Sequence, residues 1–370
     1  MRLVYFTHSL RSCWNHGNAH FLRGVLRELI AKGHEVEAYE PSHPWSVQNL
    51  VEDHGEAGLA PYREAYPELR SRTYEDFLEL DLPLSNADMV IVHEWNEPWL
   101  VAALGRKRRR GARYTLLFHD THHRAVSDPE AIRRFDLDGY DGVLAFGETL
   151  AEIYRRWGWG RRVFVWHEAA DTRLFHPPKS EPERQGLVWI GNWGDDERSA
   201  ELETFLLRPA QTVGLPLDIY GVRYPDSALQ ALARHGASYR GWLPNPKAPE
   251  VFARHLATVH VPRRFYVDHL PGIPTIRVFE ALACGIPLVS APWRDAENLF
   301  RPGDDYLVAS DGPAMERALR ALRDDSGLRR SLAESGLATI RARHTCAHRA
   351  EELLGISAAL GASAPLEMTA

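Results

Sequence analysis

A Gly- and Pro-rich loop leads into an apolar helical stretch in the second half of the chain, PGIPTIRVFEALACGIPLVSAPW at residues 271–293. Pro274 at the first turn and Gly285 after the last turn are typical start and stop signals of a helix. The first main-chain amides of a helix have no partner within it, so they favour an anion such as a diphosphate. The amides that we expect to face this anion are those near Ile273, Thr275 and Ile276.

Glu280 lies in the apolar part of the same predicted helix, between Phe279 and Ala281. A carboxylate in such surroundings is usually paired or bound to hydroxyl groups, because burying an unpaired charge is costly. The diol of a ribose would satisfy it. The alternative is an ordinary exposed glutamate on a helix surface.

Arg263 and Arg264 follow another apolar run, TVHVP at residues 258–262. Guanidinium groups bind phosphate oxygens in a bidentate manner, so these arginines could neutralise a diphosphate. The alternative is a pair of solvated surface arginines. Their position after a strand favours phosphate binding, because open parallel sheets bind ligands at the carboxyl ends of their strands.

Three histidines and an aspartate follow an apolar run in the first half, in FHDTHHR at residues 118–124. Such side chains at the end of a strand can exchange protons or form hydrogen bonds with a substrate. Capping of the loop and a metal cluster are the alternatives. The spacing lacks a convincing fourth ligand for zinc, so we expect no metal site.

Two further loops carry polar and aromatic residues after apolar runs, at residues 13–18 and 94–96. Gly17 lets the main chain approach a ligand closely, and Asn18 can cap the helix that follows, which would by itself explain it. Tryptophan rings stack on sugar rings, although tryptophan is as often a core residue. The residues that we expect on the side of a cleft that faces a second substrate are Trp14, His16, Gly17, Asn18, Glu94 and Trp95.

The elements that must position these residues alternate as strand, helix, strand. The apolar runs of the first half are LVYFTHS, HEVEAYEP, MVIVHEW, YTLLFHD, GVLAFG and RVFVWHEA. Those of the second half are GLVWIGN, LDIYGV, SYRGWL, TVHVP, PLVSA and YLVAS. This alternation predicts two α/β domains, each with a doubly wound parallel sheet.

A segment with three prolines and several charges separates the two series and predicts a linker at residues 171–185. We therefore expect an N-terminal domain at residues 1–170 and a C-terminal domain at 186–345. The remainder, 346–370, predicts a helix that packs back on the N-terminal domain, followed by a frayed tail. Residues 42–80 carry weak signals and predict a surface insertion.

The bulk composition is that of an ordinary globular protein, with 370 residues, 44% of them hydrophobic, and a net charge of −6. The acidic balance disfavours a nucleic-acid partner. The three cysteines, Cys13, Cys284 and Cys346, lack metal-ligand spacing and fit buried thiols in a reducing compartment. With no signal-peptide or membrane-spanning pattern, we expect a cytoplasmic protein.

The basic run RKRRR at residues 106–110 is predicted to end a helix, where cations are favoured and are usually solvated. A peripheral contact with an anionic membrane surface, or with a lipid-linked acceptor, is the alternative.

Four segments in the same order resemble GT-B glycosyltransferases of the family four type (glycosyl transferases group 1), and the CgeB-like group within it. VFEALACGIPLVSAP resembles the donor-site helix, and YRGWLPNPKAPEVFA the segment that borders the donor base. HEAADTRLFHPP resembles the hinge element, and CWNHGNAHFLRGVLRELIAKGHEV the N-terminal Gly loop and first helix.

The resemblance implies roles for particular residues. Glu280 corresponds to the second of two acids that the family separates by seven intervening residues. Trp242 and Leu243 would border the base, and His119 would contact the donor sugar near the reacting carbon. Asp120 would then orient the loop or the acceptor. The catalytic candidates are thus His119 and Asp120.

The chain departs from the family at the first acid, where Gly272 stands. Asp268 or His269 could contact the sugar in its place. The two phosphate-binding cations of the family are also replaced, with Asn192 at the Arg position and Arg198 near the Lys position.

The resemblance implies a GT-B fold of two Rossmann-like domains and transfer from a nucleotide-diphosphate sugar, with retention and without metal or another cofactor. The acceptor stays open among saccharide, lipid-linked, protein and small molecules, as do the base, the sugar and the oligomeric state. A nucleotide-sugar 2-epimerase of GT-B fold and a non-catalytic nucleotide-sugar-binding protein are the alternative functions. A dehydrogenase is set aside because no GxGxxG follows a strand.

Overall fold

Two parallel β-sheets, one from each half of the chain, organise the computed structural model of the protein. The structure describes residues 1–76, 80–160, 162–180 and 182–361. The strands of the first sheet are β1 (Arg2–Phe6), β2 (Glu35–Pro41), β3 (Ser71–Tyr74), β4 (Met89–His93), β5 (Thr115–Asp120), β6 (Gly142–Ala145) and β7 (Val163–Val165). Their order is β3-β2-β1-β4-β5-β6-β7, with every described pair parallel.

Helices connect these strands. They are α1 (Asn18–Ala31), α2 (Trp45–His54), α3 (Ala60–Ala65), α4 (Asp81–Ser85), α5 (Pro98–Arg109), α6 (Arg124–Ser127), α7 (Pro129–Arg133) and α8 (Glu148–Trp157), with a 3-10 turn at Glu56–Leu59. In β1, Leu3 and Tyr5 are buried on one face of the sheet and Val4 and Phe6 on the other. Burial on both faces is what helices packed on both sides of a parallel sheet produce.

The second half repeats the plan. Its strands are β8 (Leu187–Ile190), β9 (Leu217–Tyr220), β10 (Ser238–Gly241), β11 (Ala257–His260), β12 (Leu288–Ser290) and β13 (Leu307–Val308), in the order β10-β9-β8-β11-β12-β13. Its helices are α9 (Ser199–Leu202), α10 (Arg208–Val213), α11 (Asp226–Arg234), α12 (Ala248–Ala253), α13 (Arg264–Asp268), α14 (Ile276–Ala283), α15 (Gly312–Asp324) and α16 (Ser326–Arg343). Shorter turns lie at Asp195–Glu197 and Asn245–Lys247, and a π turn at Glu203–Leu207. The two predicted doubly wound sheets are confirmed.

The interpretation of residues 42–80 as a surface insertion was wrong in part. Two helices, α2 and α3, lie there, and β3 pairs in parallel with β2 as the edge strand of the first sheet. Three of the four β3 residues are not buried, so the apolar pattern that identifies a strand is missing.

The chain returns to its first half through α17 (Cys346–Gly361), which packs along α1. Its residues Cys346, Ala350 and Leu353 share a core cluster with Phe21 and Leu22 of α1. Before it, the amide of Ala170 donates to the carbonyl of His344 at 3.0 Å. The predicted frayed tail lies outside the described residues beyond Gly361. Within the described part, no helix is both long and apolar enough to cross a membrane.

Candidate active site

A cavity of about 400 Å³ lies between the two sheets, at the carboxyl ends of their strands. Its wall includes Thr121, directly after β5, Gly191, directly after β8, and Val261, directly after β11. Parallel sheets leave loops and helix starts at this edge, where they can present polar groups to a ligand. The cavity is therefore the place where both halves of the chain can act on one substrate.

The start of α14 reaches the cavity through Thr275 and Ile276, which both line it. The part of the loop before them does not line it. The amide of Gly272 donates to the carbonyl of Arg294 at 2.8 Å, and that of Ile273 to Leu270 at 3.4 Å. Ile273 also packs into the core of the first domain, where it is 1% exposed. Of the residues whose amides were expected to face an anion, only Thr275 and Ile276 line the cavity.

The glycine at position 272 has a conformational reason. Its φ of +93° lies in the region that favours glycine, and a Cβ there would lie 3.2 Å from Cγ of Glu297. An acid at this position would be strained and crowded. Asp268 and His269, expected to replace it, are exposed at the end of α13 and do not line the cavity.

Glu280 is fully buried below the cavity wall and does not line it. Its Oε1 accepts hydrogen bonds from Asn245 Nδ2 at 2.8 Å and from His20 Nδ1 at 3.0 Å, and its Oε2 accepts one from Arg277. Burial alone would raise the pKa of Glu280, but the charges of Arg277 and His20 and these hydrogen bonds lower it to about 2. Three protein donors thus bind the carboxylate on which a ribose diol was expected.

Three arginines line the cavity, whereas Arg264, which was predicted to bind phosphate, does not. Arg198 donates to the carbonyl of Val261 at 3.1 Å, and Arg263 pairs with Glu197 at 2.7 Å. Arg277, which the sequence interpretation did not single out, is the third lining arginine. Arg264 pairs with Glu201 at 2.8 Å and does not line the cavity.

The remaining predicted donor residues of the second domain, Asn192, Trp242 and Leu243, all line the cavity. Asn192 accepts a hydrogen bond from the Val222 amide at 3.1 Å and donates to Asn15 of the first domain. The ring of Trp242 lies against His54 with centroids 4.6 Å apart. These contacts join the two domains at the edge of the cavity.

On the first-domain side, His16, Gly17, Asn18 and Trp95 line the cavity. Asn18 does not cap α1, because Gly17 occupies the N-cap position. Both side-chain polar atoms of Asn18 are buried without a hydrogen-bond partner in the described structure. A buried amide without partners is costly, so Asn18 is suited to bind a ligand in the cavity.

Trp14 and Glu94 belong to the surrounding structure. Trp14 is 5% exposed, packs with Leu50 and Leu59, and donates from Nε1 to Asp53 at 2.9 Å. Glu94 is fully buried and pairs with Arg124, whose guanidinium carbon lies 4.1 Å from the ring centroid of Trp95. These residues hold the wall that His16 and Trp95 form.

His119 and Asp120 end β5 and are fully buried below the cavity, without lining it. His119 Nδ1 is hydrogen bonded to the hydroxyl of Tyr5, and burial lowers the pKa of His119 to about 3. Asp120 accepts a hydrogen bond from the hydroxyl of Tyr154 at 2.7 Å, and burial raises the pKa of Asp120 to about 6. The structure brings His122 and His123 to the wall in their place.

The sequence patterns did not identify several residues that line the cavity. One of them is Glu168, a buried residue in the segment that resembles the hinge. In the sequence, only the apolar residues beside this glutamate could have indicated its burial. Trp45 belongs to the misjudged segment at residues 42–80. The other lining residues that the sequence analysis did not name include Asn15, His20, Trp189, Tyr220, Val222, Tyr266 and Arg277.

The described residues contain no group of three or more His, Cys, Asp or Glu side chains arranged to hold a metal ion. All three cysteines are free thiols. Cys284 and Cys346 are buried as predicted, but the prediction was wrong for Cys13, which is half-buried and lines the cavity. In the basic run, Lys107 pairs with Asp81 at 2.6 Å and Arg108 with Asp141 at 3.0 Å.

Two family models match most of the chain between them. Residues 17–174 match the model described as Glycosyltransferase Family 4, and residues 198–355 match the model described as Glycosyl transferase-like. No curated protein matches the chain.

Several solved structures are similar to the chain over nearly its whole length, and they include glycosyltransferases. Sucrose-phosphate synthase from Thermosynechococcus elongatus has a TM-score of 0.67 at 14% identity, covering 98% of this chain and 99% of that one. Anabaena Alr3699/HepE in complex with UDP and glucose has a TM-score of 0.63 at 14% identity, covering 97% and 100%. T4 phage BGT in complex with UDP-glucose has a TM-score of 0.59 at 12% identity, covering 97% and 99%. These similarities confirm the predicted GT-B fold.

Proposed function

Because the chain belongs to the GT-B glycosyltransferases of the family 4 and group 1 type, we propose that it transfers a sugar from a nucleotide-diphosphate donor held in the interdomain cavity. The observation that carries the proposal is the composition of the cavity wall. The second domain contributes a helix start and three arginines, and the first domain contributes tryptophan and histidine rings. Anionic and sugar parts of one substrate would thus meet opposite walls.

The diphosphate would lie against the first turn of α14, with Arg263 and Arg277 nearby. Amides at a helix start and guanidinium groups both stabilise negative charge. This charge grows on the diphosphate as the bond to the anomeric carbon breaks, so fixed cations there favour the transition state. The base would lie beside Trp242 and Leu243, in line with the resemblance.

The acceptor hydroxyl would approach from the wall formed by His16 and Trp95. We propose that the reaction retains the anomeric configuration and needs no metal ion, as the family resemblance implies. The arginines supply the positive charge that a metal would otherwise provide. UDP-glucose is the first donor to test, because two of the similar structures hold UDP with glucose or UDP-glucose.

A thermal-shift screen with UDP, GDP and TDP and their sugars tests the donor. A ligand that binds only the native state raises the melting temperature. The expected result is a rise with one nucleotide series, followed by donor turnover that EDTA does not reduce. Absence of any shift or turnover with all series would overturn the proposal, and release of a free epimer without an acceptor would favour the 2-epimerase.

A further inference from the structure

Glu168 lines the cavity near the start of α14, the place proposed above for the donor diphosphate. It follows β7, lines the cavity, and is 7% exposed. Ile276, the first residue of α14, lines the same cavity, and its amide is close enough to the Glu168 carboxyl group to act against the rise of its pKa. A carboxyl group of the protein thus lies at the helix start that would otherwise receive an anion.

The surroundings of Glu168 offer it little compensating charge. Arg277 is the nearest cation on α14, but its guanidinium is hydrogen bonded to Glu280. No Lys, Arg or His side chain of the described chain forms an ion pair with Glu168. The other titratable groups around it are Glu280 on α14, the hydroxyl of Tyr266 on α13, and His20 on α1 behind Glu280.

These surroundings favour the neutral carboxyl. Burial and the charge of Glu280 raise the pKa of Glu168 to about 8, against the smaller opposing effects of Arg277 and the Ile276 amide. A neutral carboxyl has an O–H group that can donate a hydrogen bond, whereas a carboxylate can only accept. A diphosphate offers acceptors alone.

We propose that protonated Glu168 donates a hydrogen bond to the donor diphosphate at the start of α14, and that ionised Glu168 repels the diphosphate. This inference rests on the proposed function, since it assumes a diphosphate in the cavity. Repulsion between like charges in a buried site is strong, so only the protonated enzyme binds the donor tightly. Glu168 is thus a binding residue that makes donor affinity depend on pH.

Calorimetric titration of the full chain with UDP-glucose between pH 7 and pH 9 tests this inference. If only the protonated form binds, the dissociation constant of the wild type rises about tenfold over this range. The Glu168→Gln variant carries a neutral amide that donates a hydrogen bond at every pH, so its affinity stays constant. Glu334→Gln, at an exposed position on α16 outside the cavity wall, should behave as the wild type.

The outcomes separate the two proposals. UDP-glucose binding that is equally strong at pH 7 and pH 9 in the wild type overturns the role of Glu168 and leaves the proposed function standing. The same conclusion follows if wild type and Glu168→Gln lose affinity in parallel. Failure of UDP-glucose and of the GDP- and TDP-sugars to bind at any pH overturns both. The pH titration of the wild type tests the inference even if the Glu168→Gln variant does not fold.

Discussion

His20 Nδ1 on α1 of the first domain lies 3.0 Å from Oε1 of Glu280 on α14 of the second domain. Asn245 donates to the same oxygen at 2.8 Å. A fully buried carboxylate therefore joins two helices from different domains directly beneath the cavity. Its pairing sets how the two walls of the site face each other.

Glu280→Ala should lower the free energy of unfolding by about 3 kcal/mol, because it leaves buried donors on His20 and Asn245 without an acceptor. It should also weaken UDP-glucose binding, since the interdomain contact under the site is lost. Urea unfolding and calorimetry measure the two effects. The exposed control Glu334→Ala should change stability by less than about 0.5 kcal/mol. Unchanged stability of Glu280→Ala would contradict the buried bonding.

Arg263→Ala should weaken UDP-glucose binding by about tenfold to a hundredfold, the effect of losing a hydrogen bond to a charged group. Arg264→Ala is the matched control, because this neighbouring arginine pairs with Glu201 and does not line the cavity. Its affinity for UDP-glucose should equal that of the wild type. Equal losses in both variants would show that general surface charge, rather than a contact in the cavity, attracts the donor.

Gly24→Ala tests the packing of α1 against α17. A Cβ at Gly24 would lie 2.5 Å from Cys346 Sγ and 2.7 Å from Cβ of Asp171. Overpacking of this kind costs about 1 to 3 kcal/mol of unfolding free energy. Gly355→Ala, on the exposed face of α17 with no atom within 4 Å, should instead stabilise the protein by about 0.5 to 1 kcal/mol. Thermal unfolding of both variants checks the difference in sign.

His119→Gln tests the buried histidine below the cavity. Because burial lowers the pKa of His119 to about 3, the folded protein holds this histidine neutral while the unfolded chain protonates it near its usual pKa. The wild type therefore loses stability as the pH falls below about 6.5, and relative to His119→Gln the loss reaches about 2 kcal/mol at pH 5. Urea unfolding at pH 7.5 and pH 5 measures it. Parallel pH dependence of the two proteins would show that His119 is not buried as described.

Much of the fold was predictable because its signals are local. The alternation of apolar runs with helical patterns identified twelve strands, six in each half, and the structure adds one more, β3. That strand lies at the edge of the sheet with little burial, so no apolar pattern marks it. The family resemblance likewise rested on short contiguous segments, and the family models confirmed it for the glycosyltransferase family, while the CgeB-like group stays a prediction.

By itself the sequence determined which loops reach the edge of each sheet. The points along the chain where each strand ends and each helix begins depend on neighbouring residues. It predicted Thr275, Arg263 and Trp95, and all three line the cavity. Only the tertiary structure decided which polar groups face the cavity and which face each other. Glu280 meets His20 across 260 positions of the chain, whereas Glu168 is left at the start of α14 without an ion pair in the described structure. Such partners come from the approach of two separate domains, and a linear pattern carries no information about that distance.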